Sequence, residues 1–304
     1  MADRLGRWAE EHGYRVAWGP AAVVENARRE IAGRLAHGEL DAAFFRDELD
    51  PLTGGELPEG VATVVVVAKP APAHLVHFRL DGRTVDALLP PTYVRYRATF
   101  EDVRQDLARA GLPGARVEHL GWPVKAVAAR LGLVRYGRNN VTYAPGLGSY
   151  LQLCGFLTDA EFSAAGRCDA APALLDECAT CTACVSACPV FAIDEERVLL
   201  HGERCLTHLN ESPGPWPAGL PASAHNCLLG CLLCQRACPV NGELEVVDTG
   251  VEFSEAETRA LLRDGAASEG RGETGVRFKL AWLGQPYAEP VLGRNLRALL
   301  GPAA

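Results

Sequence analysis

Cys178-Ala179-Thr180-Cys181-Thr182-Ala183-Cys184-Val185-Ser186-Ala187-Cys188-Pro189 sets the reading of this chain. Its spacing is C-x2-C-x2-C-x3-C-P, the bacterial run for 4Fe–4S clusters. The reason is geometric. A cubane needs thiolates from several directions, and three closely spaced cysteines on a tight loop supply three of them. The fourth points away and, in two-cluster proteins, binds the other cluster.

A second run follows, Cys231-Leu232-Leu233-Cys234-Gln235-Arg236-Ala237-Cys238-Pro239. It repeats the tail of the first but lacks one cysteine. Leu228 stands at the regular position, Cys227 lies one residue too early, and Cys205 lies further upstream. The two runs predict crossed ligation. One cluster takes Cys178, Cys181, Cys184 and the distant Cys238. The other takes Cys231, Cys234, the distant Cys188, and either Cys205 or Cys227. Structural zinc also uses C-x2-C pairs, but two runs each closing on Cys-Pro fit it poorly. Cys154 and Cys168 stand outside both runs and read as small buried side chains or bystander thiols.

Working outward, cysteine is confined to the middle of the chain. All eleven lie between Cys154 and Cys238 of the 304 residues. The break predicts a body over 1–165 with no cysteine before Cys154, a ferredoxin-like double 4Fe–4S domain over 166–245, and a helical segment over 246–304 that packs back on the body. The expected body is α/β or α+β. Val61 to Ala68 is a β-branched run between Gly60 and Pro70 and reads as a buried strand. Residues 75–80 and 83–88 read as a strand pair around Asp81-Gly82, and 115–118 as a short strand. Val24, Ala27, Ile31 and Leu35 recur at helical spacing. Thr99 with Asp102 reads as a capping box ahead of Phe100, Val103 and Leu107. Pro123 suits a first helical turn, continued by Val124, Val127 and Leu131. Ser254 to Arg263 has a capping-box start. Residues 210–224 are rich in Pro and Gly and read as loop, and 264–275 as an exposed connection.

Composition narrows the function. The 30 Lys+Arg against 38 Asp+Glu give a net charge of −8, which argues against a broad nucleic-acid face. At 48% hydrophobic residues the chain can bury a real core. No apolar run reaches the roughly 18 residues of a membrane span, and the acidic N-terminus carries no signal core. A cytoplasmic protein is expected, where thiols stay reduced and clustered cysteines mean metal.

Residues 118–159 resemble the epoxyqueuosine reductase family. Ala128-Ala129-Arg130-Leu131-Gly132-Leu133-Val134-Arg135-Tyr136-Gly137-Arg138-Asn139 is similar to its Ala-Gly-Leu-Gly-Trp-Ile-Gly-Lys-Asn segment. Gly148-Ser149-Tyr150 through Leu157-Thr158-Asp159 is similar to its Gly-Ser-Trp to Leu-Thr-Asp segment, and the cysteine region follows in the same order. An Arg-Cys pair at Arg204-Cys205 favours Cys205 over Cys227. The resemblance implies a cobalamin-binding α/β body, two 4Fe–4S clusters, an external low-potential donor of flavodoxin or ferredoxin type, and reduction of the substrate by the corrinoid.

It also nominates residues. Glu118 falls where the family places a proton-donating Asp, which would need a desolvated pocket to raise its pKa. His119 is the adjacent alternative, and strand alternation points the two side chains apart. Arg135, Arg138, Asn139 and Asn140, with Gly148, Ser149 and Tyr150, are the expected corrinoid contacts. Arg138, Asn139 and Asn140 also read as turn chemistry beside Gly137.

Three departures stand out. Arg135 replaces a Trp of the family. The upstream Asp-Tyr-His element is missing, with Tyr93-Val94-Arg95-Tyr96 in its place. The chain ends at Ala304, where the tRNA enzymes continue into helical repeats. A small-molecule substrate, not tRNA, is therefore expected. Two alternatives remain: an electron-transfer protein serving a corrinoid or another partner protein, and a relative that has lost cobalamin.

Overall fold

The computed structural model describes the chain except residues 50–55, 122, 163–170, 196–198, 218, 265–270 and 302–304, and the side chains of 222, 264 and 271–274. In chain order the first elements are α1 (Ala2–Glu11), β1 (Arg15–Pro20), α2 (Ala22–Ala36), α3 (Ala42–Phe44), β2 (Thr63–Pro70), β3 (Ala73–Leu80) and β4 (Arg83–Leu89). Next come α4 (Tyr96–Asp106), β5 (Val117–His119), α5 (Val124–Arg130), β6 (Arg135–Tyr136), β7 (Thr142–Tyr143) and β8 (Leu151–Thr158). The remainder is α6 (Ala183–Ala187), α7 (Leu206–Glu211), α8 (Leu233–Arg236), β9 (Val246–Phe253), α9 (Glu255–Asp264), α10 (Arg271–Leu283) and α11 (Glu289–Leu300).

These elements form two compact units, neither continuous in sequence. Unit 1 holds residues 1–70, 98–182 and 193–202, and unit 2 holds 71–97, 183–192 and 203–304.

Unit 1 is built on an antiparallel sheet of order β1-β2-β8-β5. Val64 to Ala68 of β2 are all fully buried. Alternation sends Val64, Val66 and Ala68 to one face, against Val24 and Ala27 of α2 and Val127 of α5. Val65 and Val67 face Leu5 and Trp8 of α1 and Phe100 and Val103 of α4. A strand covered on both faces must be apolar at every position, and this one is. Each of these valines contributes about 1.5–3 kcal/mol by burial.

Unit 2 has its own sheet, β4-β3-β9, with β9 parallel to β3. The β3–β4 hairpin turns at Asp81 and Gly82, whose φ values of 50° and 73° suit the tight mirror-image turns that hairpins use. One sheet face carries Phe78 stacked on Phe253 at 4.6 Å and is covered by Leu261, Leu280 and Leu292 of α9, α10 and α11. The segment after 246 thus packs on residues 73–89. Composition groups those residues with the N-terminal body, because it does not register a pairing across some 170 residues.

Local expectations met the structure unevenly. The capping box at Ser254 is present: Ser254 N donates to Glu257 Oε2 at 2.7 Å, and Glu257 N to Ser254 Oγ at 3.3 Å. Thr99 is no cap, since α4 already starts at Tyr96. The short strand lies at Val117–His119, two residues later than expected. Helix α10 starts at Arg271, inside the expected connection, whose residues 265–270 lie outside the described residues. Within 210–224, Asn210 and Glu211 close α7 and residues 222–224 form a 3-10 turn.

On the solvent face of the second sheet, His77 lies 2.8 Å from both Asp248 and Asp86, one on each neighbouring strand. Asp248 and then Asp86 raise the His77 pKa, and Arg79 pairs with Glu252 beside them. A base with a raised native pKa stabilises the fold below its unfolded value of about 6.5. That contribution is lost as pH rises through the native value. The wild-type melting temperature minus that of His77→Gln should therefore shrink between about pH 5 and about pH 9. Paired thermal scans across that range measure it.

Candidate iron–sulfur site

The thiols of unit 2 gather in short loops. Cys188 follows α6, Cys205 precedes α7, Cys231 precedes α8 and Cys234 lies within it. Burial pushes the Cys205, Cys231 and Cys234 thiols up, and neighbouring sulfurs add to it. Cys205 feels Cys188, Cys231 feels Cys205 and Cys188, and Cys234 feels Cys231, Cys205, Cys184 and Cys188. Three buried thiols with the Cys188 sulfur beside them are costly as thiolates unless a cation compensates them. An iron–sulfur core supplies that charge.

Two N–H groups already point at sulfur. Ala192 N donates to Cys188 Sγ at 3.3 Å, and Asn226 Nδ2 to Cys231 Sγ at 3.3 Å. Such bonds tune cluster potentials. The Asn226 side chain also accepts from Leu232 N at 2.9 Å and from Cys227 Sγ at 3.2 Å. Cys227 is therefore a buried thiol donating to an amide, and burial pushes it up to about 12. The donor set is all sulfur, as a cubane requires.

Cys178 and Cys181 belong to unit 1, where β6 organises their approach. Tyr136 N donates to Ala173 O at 2.9 Å and Leu175 N to Tyr136 O at 2.8 Å. Arg135 makes a two-pronged contact with Asp176, at 2.7 and 2.6 Å. Arg138 donates to the Cys178 carbonyl at 2.6 Å and to the Glu195 carbonyl. Asn139 is buried. Its Nδ2 donates to the Tyr143 hydroxyl at 3.0 Å, and its Oδ1 accepts from Val141 N at 3.2 Å. Asn140 adopts φ 58°, and its carbonyl accepts from Lys125 at 2.7 Å.

Arg135, Arg138 and Asn139 thus bond within the chain, Arg135 and Arg138 to the first cysteine loop, while the buried Nε of Arg138 has no partner among the described residues. Gly148 lies in a turn at φ 64°, Ser149 is buried and Tyr150 half-buried.

Glu118 and His119 lie on β5, the edge strand of the first sheet. Glu118 is not desolvated: its side chain is 41% exposed and lies 3.5 Å from Arg116. An edge strand keeps water on one side. His119 lies 2.9 Å from Glu101, its ring 4.8 Å from Phe100 of α4. The Arg104 guanidinium, Gln105 and His119 hold Glu101 well below the usual carboxylate range. Cys154 is fully buried in β8 opposite Val67, its thiol pushed up to about 12, in keeping with a bystander. Cys168 lies outside the described residues. The bracing roles of Arg138 and Asn226 were missed; neither side chain has a sequence signature beyond its nearness to cysteine.

Residues 177–241 match the 4Fe-4S double cluster binding domain. The cysteine region is thus similar to a double 4Fe–4S cluster domain. The resemblance to epoxyqueuosine reductases also stands. The chain is 34% identical to that of Staphylococcus aureus over 117 residues, 38% of this chain and 29% of that protein. It is 29% identical to that of Leadbetterella byssophila over 150 residues, 48% of this chain and 46% of that protein. The matched segment therefore spans less than half the length of these curated relatives. In fold the likeness is broader. Epoxyqueuosine reductase from Streptococcus thermophilus aligns with 99% of this chain and 80% of its own, at TM-score 0.68 and 17% identity. A crystal structure of epoxyqueuosine reductase with an epoxyqueuosine-modified tRNA-Tyr stem loop aligns with 98% of this chain and 80% of its own, at TM-score 0.65 and 20% identity.

Arg138→Met should loosen the Cys178 loop. Iron and acid-labile sulfide lost during timed exposure to air should rise several-fold over wild type, with the melting temperature of the apoprotein within a few degrees.

Proposed function

We propose that this chain is an iron–sulfur reductase. It takes electrons from an external low-potential donor of flavodoxin or ferredoxin type, carries them through two 4Fe–4S clusters and delivers them to a substrate in the cytoplasm. The observation that carries the reading is the match of residues 177–241 to the 4Fe-4S double cluster binding domain, in which Cys188, Cys205, Cys231 and Cys234 lie near enough for their charges to be felt by one another. These four form the proposed ligand set of one cluster. Cys178, Cys181, Cys184 and Cys238 form the other by the crossed spacing of the two runs.

Cys227 is left out because its thiol is spent on Asn226. Cys205→Ala should lose the signal of one cluster in electron paramagnetic resonance, whereas Cys227→Ala should keep both. The reverse result would exchange the two assignments.

Cobalamin is the electron acceptor that the likeness to epoxyqueuosine reductases supports, and it would carry the reductive chemistry when bound. The nominated contacts Arg135, Arg138, Asn139, Asn140, Gly148, Ser149 and Tyr150 stay proposed. Proton donation stays proposed for Glu118 or His119.

The proposed substrate is a small molecule, supported by the net charge of −8, which supplies no broad phosphate-neutralising face. The second reading is a tRNA substrate, favoured by the likeness to a reductase crystallised with a tRNA stem loop. Anaerobic reconstitution should give one cobalamin per chain, with no turnover of an epoxyqueuosine-modified stem loop. Cluster-dependent activity without cobalamin uptake would select the reading in which the cofactor is lost. Efficient stem-loop turnover would select the tRNA reading.

A further inference from the structure

Cys205 sits at the start of α7, and Leu209 N closes the first turn onto the Cys205 carbonyl at 3.0 Å. With six residues, α7 has too few turns to hold itself in place. Its last carbonyls lack partners within the helix.

Arg294 of α11 takes them. Nη2 donates to the Leu209 and Asn210 carbonyls at 3.1 and 2.9 Å. Nη1 donates to Ser212 and Gly214 at 2.9 and 2.5 Å. A guanidinium is suited to this by its forked donors and by its positive charge at a helix C-terminus. Its plane lies 4.2 Å from the Trp216 ring, which lies 4.1 Å from the ring of His225.

The adjacent Asn295 is buried, and its Nδ2 reaches both sides. It donates to Asn210 O at 2.9 Å, to Asn210 Oδ1 at 2.8 Å and to Leu228 O at 3.0 Å. Leu228 N in turn donates to Leu88 O of β4 at 2.7 Å. Two consecutive side chains therefore join the segment carrying Cys205 to the one leading into Cys231, and both to the sheet of unit 2.

We infer that Arg294 and Asn295 are positioning residues that set Cys205 in register with Cys231, making α11 the jig for the last ligand of one cluster. This rests on the proposed ligand role of Cys205. Loosening the jig frees one ligand of a four-ligand cluster while the other cluster keeps all of its own.

The test uses the full chain with Arg294→Leu and Arg294→Lys. After anaerobic reconstitution, iron should fall from about eight per chain toward about four in Arg294→Leu, the count for two and one 4Fe–4S clusters. Resonance spectra should lose one cluster signal or show it converted to a three-iron form. Arg294→Lys keeps the charge but not the fork, and should give an intermediate iron content.

A second arm needs no cluster. In the apoprotein, maleimide labelling read by mass spectrometry should show Cys205 reacting several-fold faster in Arg294→Leu than in wild type, with buried Cys154 unchanged. Wild-type spectra with unchanged Cys205 labelling would overturn the inference. So would equal loss of both clusters in both variants, with all thiols labelled alike, which marks a fold-wide role. A wild-type chain without iron would sink the reductase reading instead, and the labelling arm would still report on Arg294.

Discussion

Burying sulfur is the constraint on which this structure turns. A thiol in an apolar loop resists ionisation, and the thiols of Cys205, Cys231 and Cys234 are all raised by burial and by neighbouring sulfurs. As thiolates they are tolerable together only around a compensating metal core. The loops that carry them are too short to hold such an arrangement alone. Helices α6, α7 and α8 have five, six and four residues. The order must come from outside the loops.

Each unit supplies it in the same way. Arg138 bonds the carbonyl of Cys178 in unit 1, and Arg294 bonds the carbonyls that end α7 in unit 2. In both cases a guanidinium meets backbone oxygens that a loop leaves unpaired, and a sheet or helix supplies the rigid base. The backbone of the cysteine loops is fixed by arginine, while amide donors such as Ala192 N and Asn226 Nδ2 address the sulfurs themselves.

Much of this was legible in the amino acids. The β-branched run at β2, the Asp81-Gly82 hairpin and the Ser254 capping box are local devices, and each forms as its chemistry requires. Thr99 is no cap because α4 already starts three residues earlier, at Tyr96. Nothing in the neighbourhood of Arg135 announces its partner Asp176, 41 residues away.

The sequence alone determined the electron carrier: cysteine spacing is a local property, and so is the apolar stripe of a strand or helix. Tertiary structure decided which distant residues brace those cysteines. It joined β9 to β3, set Asn295 between Asn210 and Leu228, and placed Glu118 on an edge strand in water. Such partnerships depend on chain paths that meet only after the layers have closed, and no local pattern encodes them.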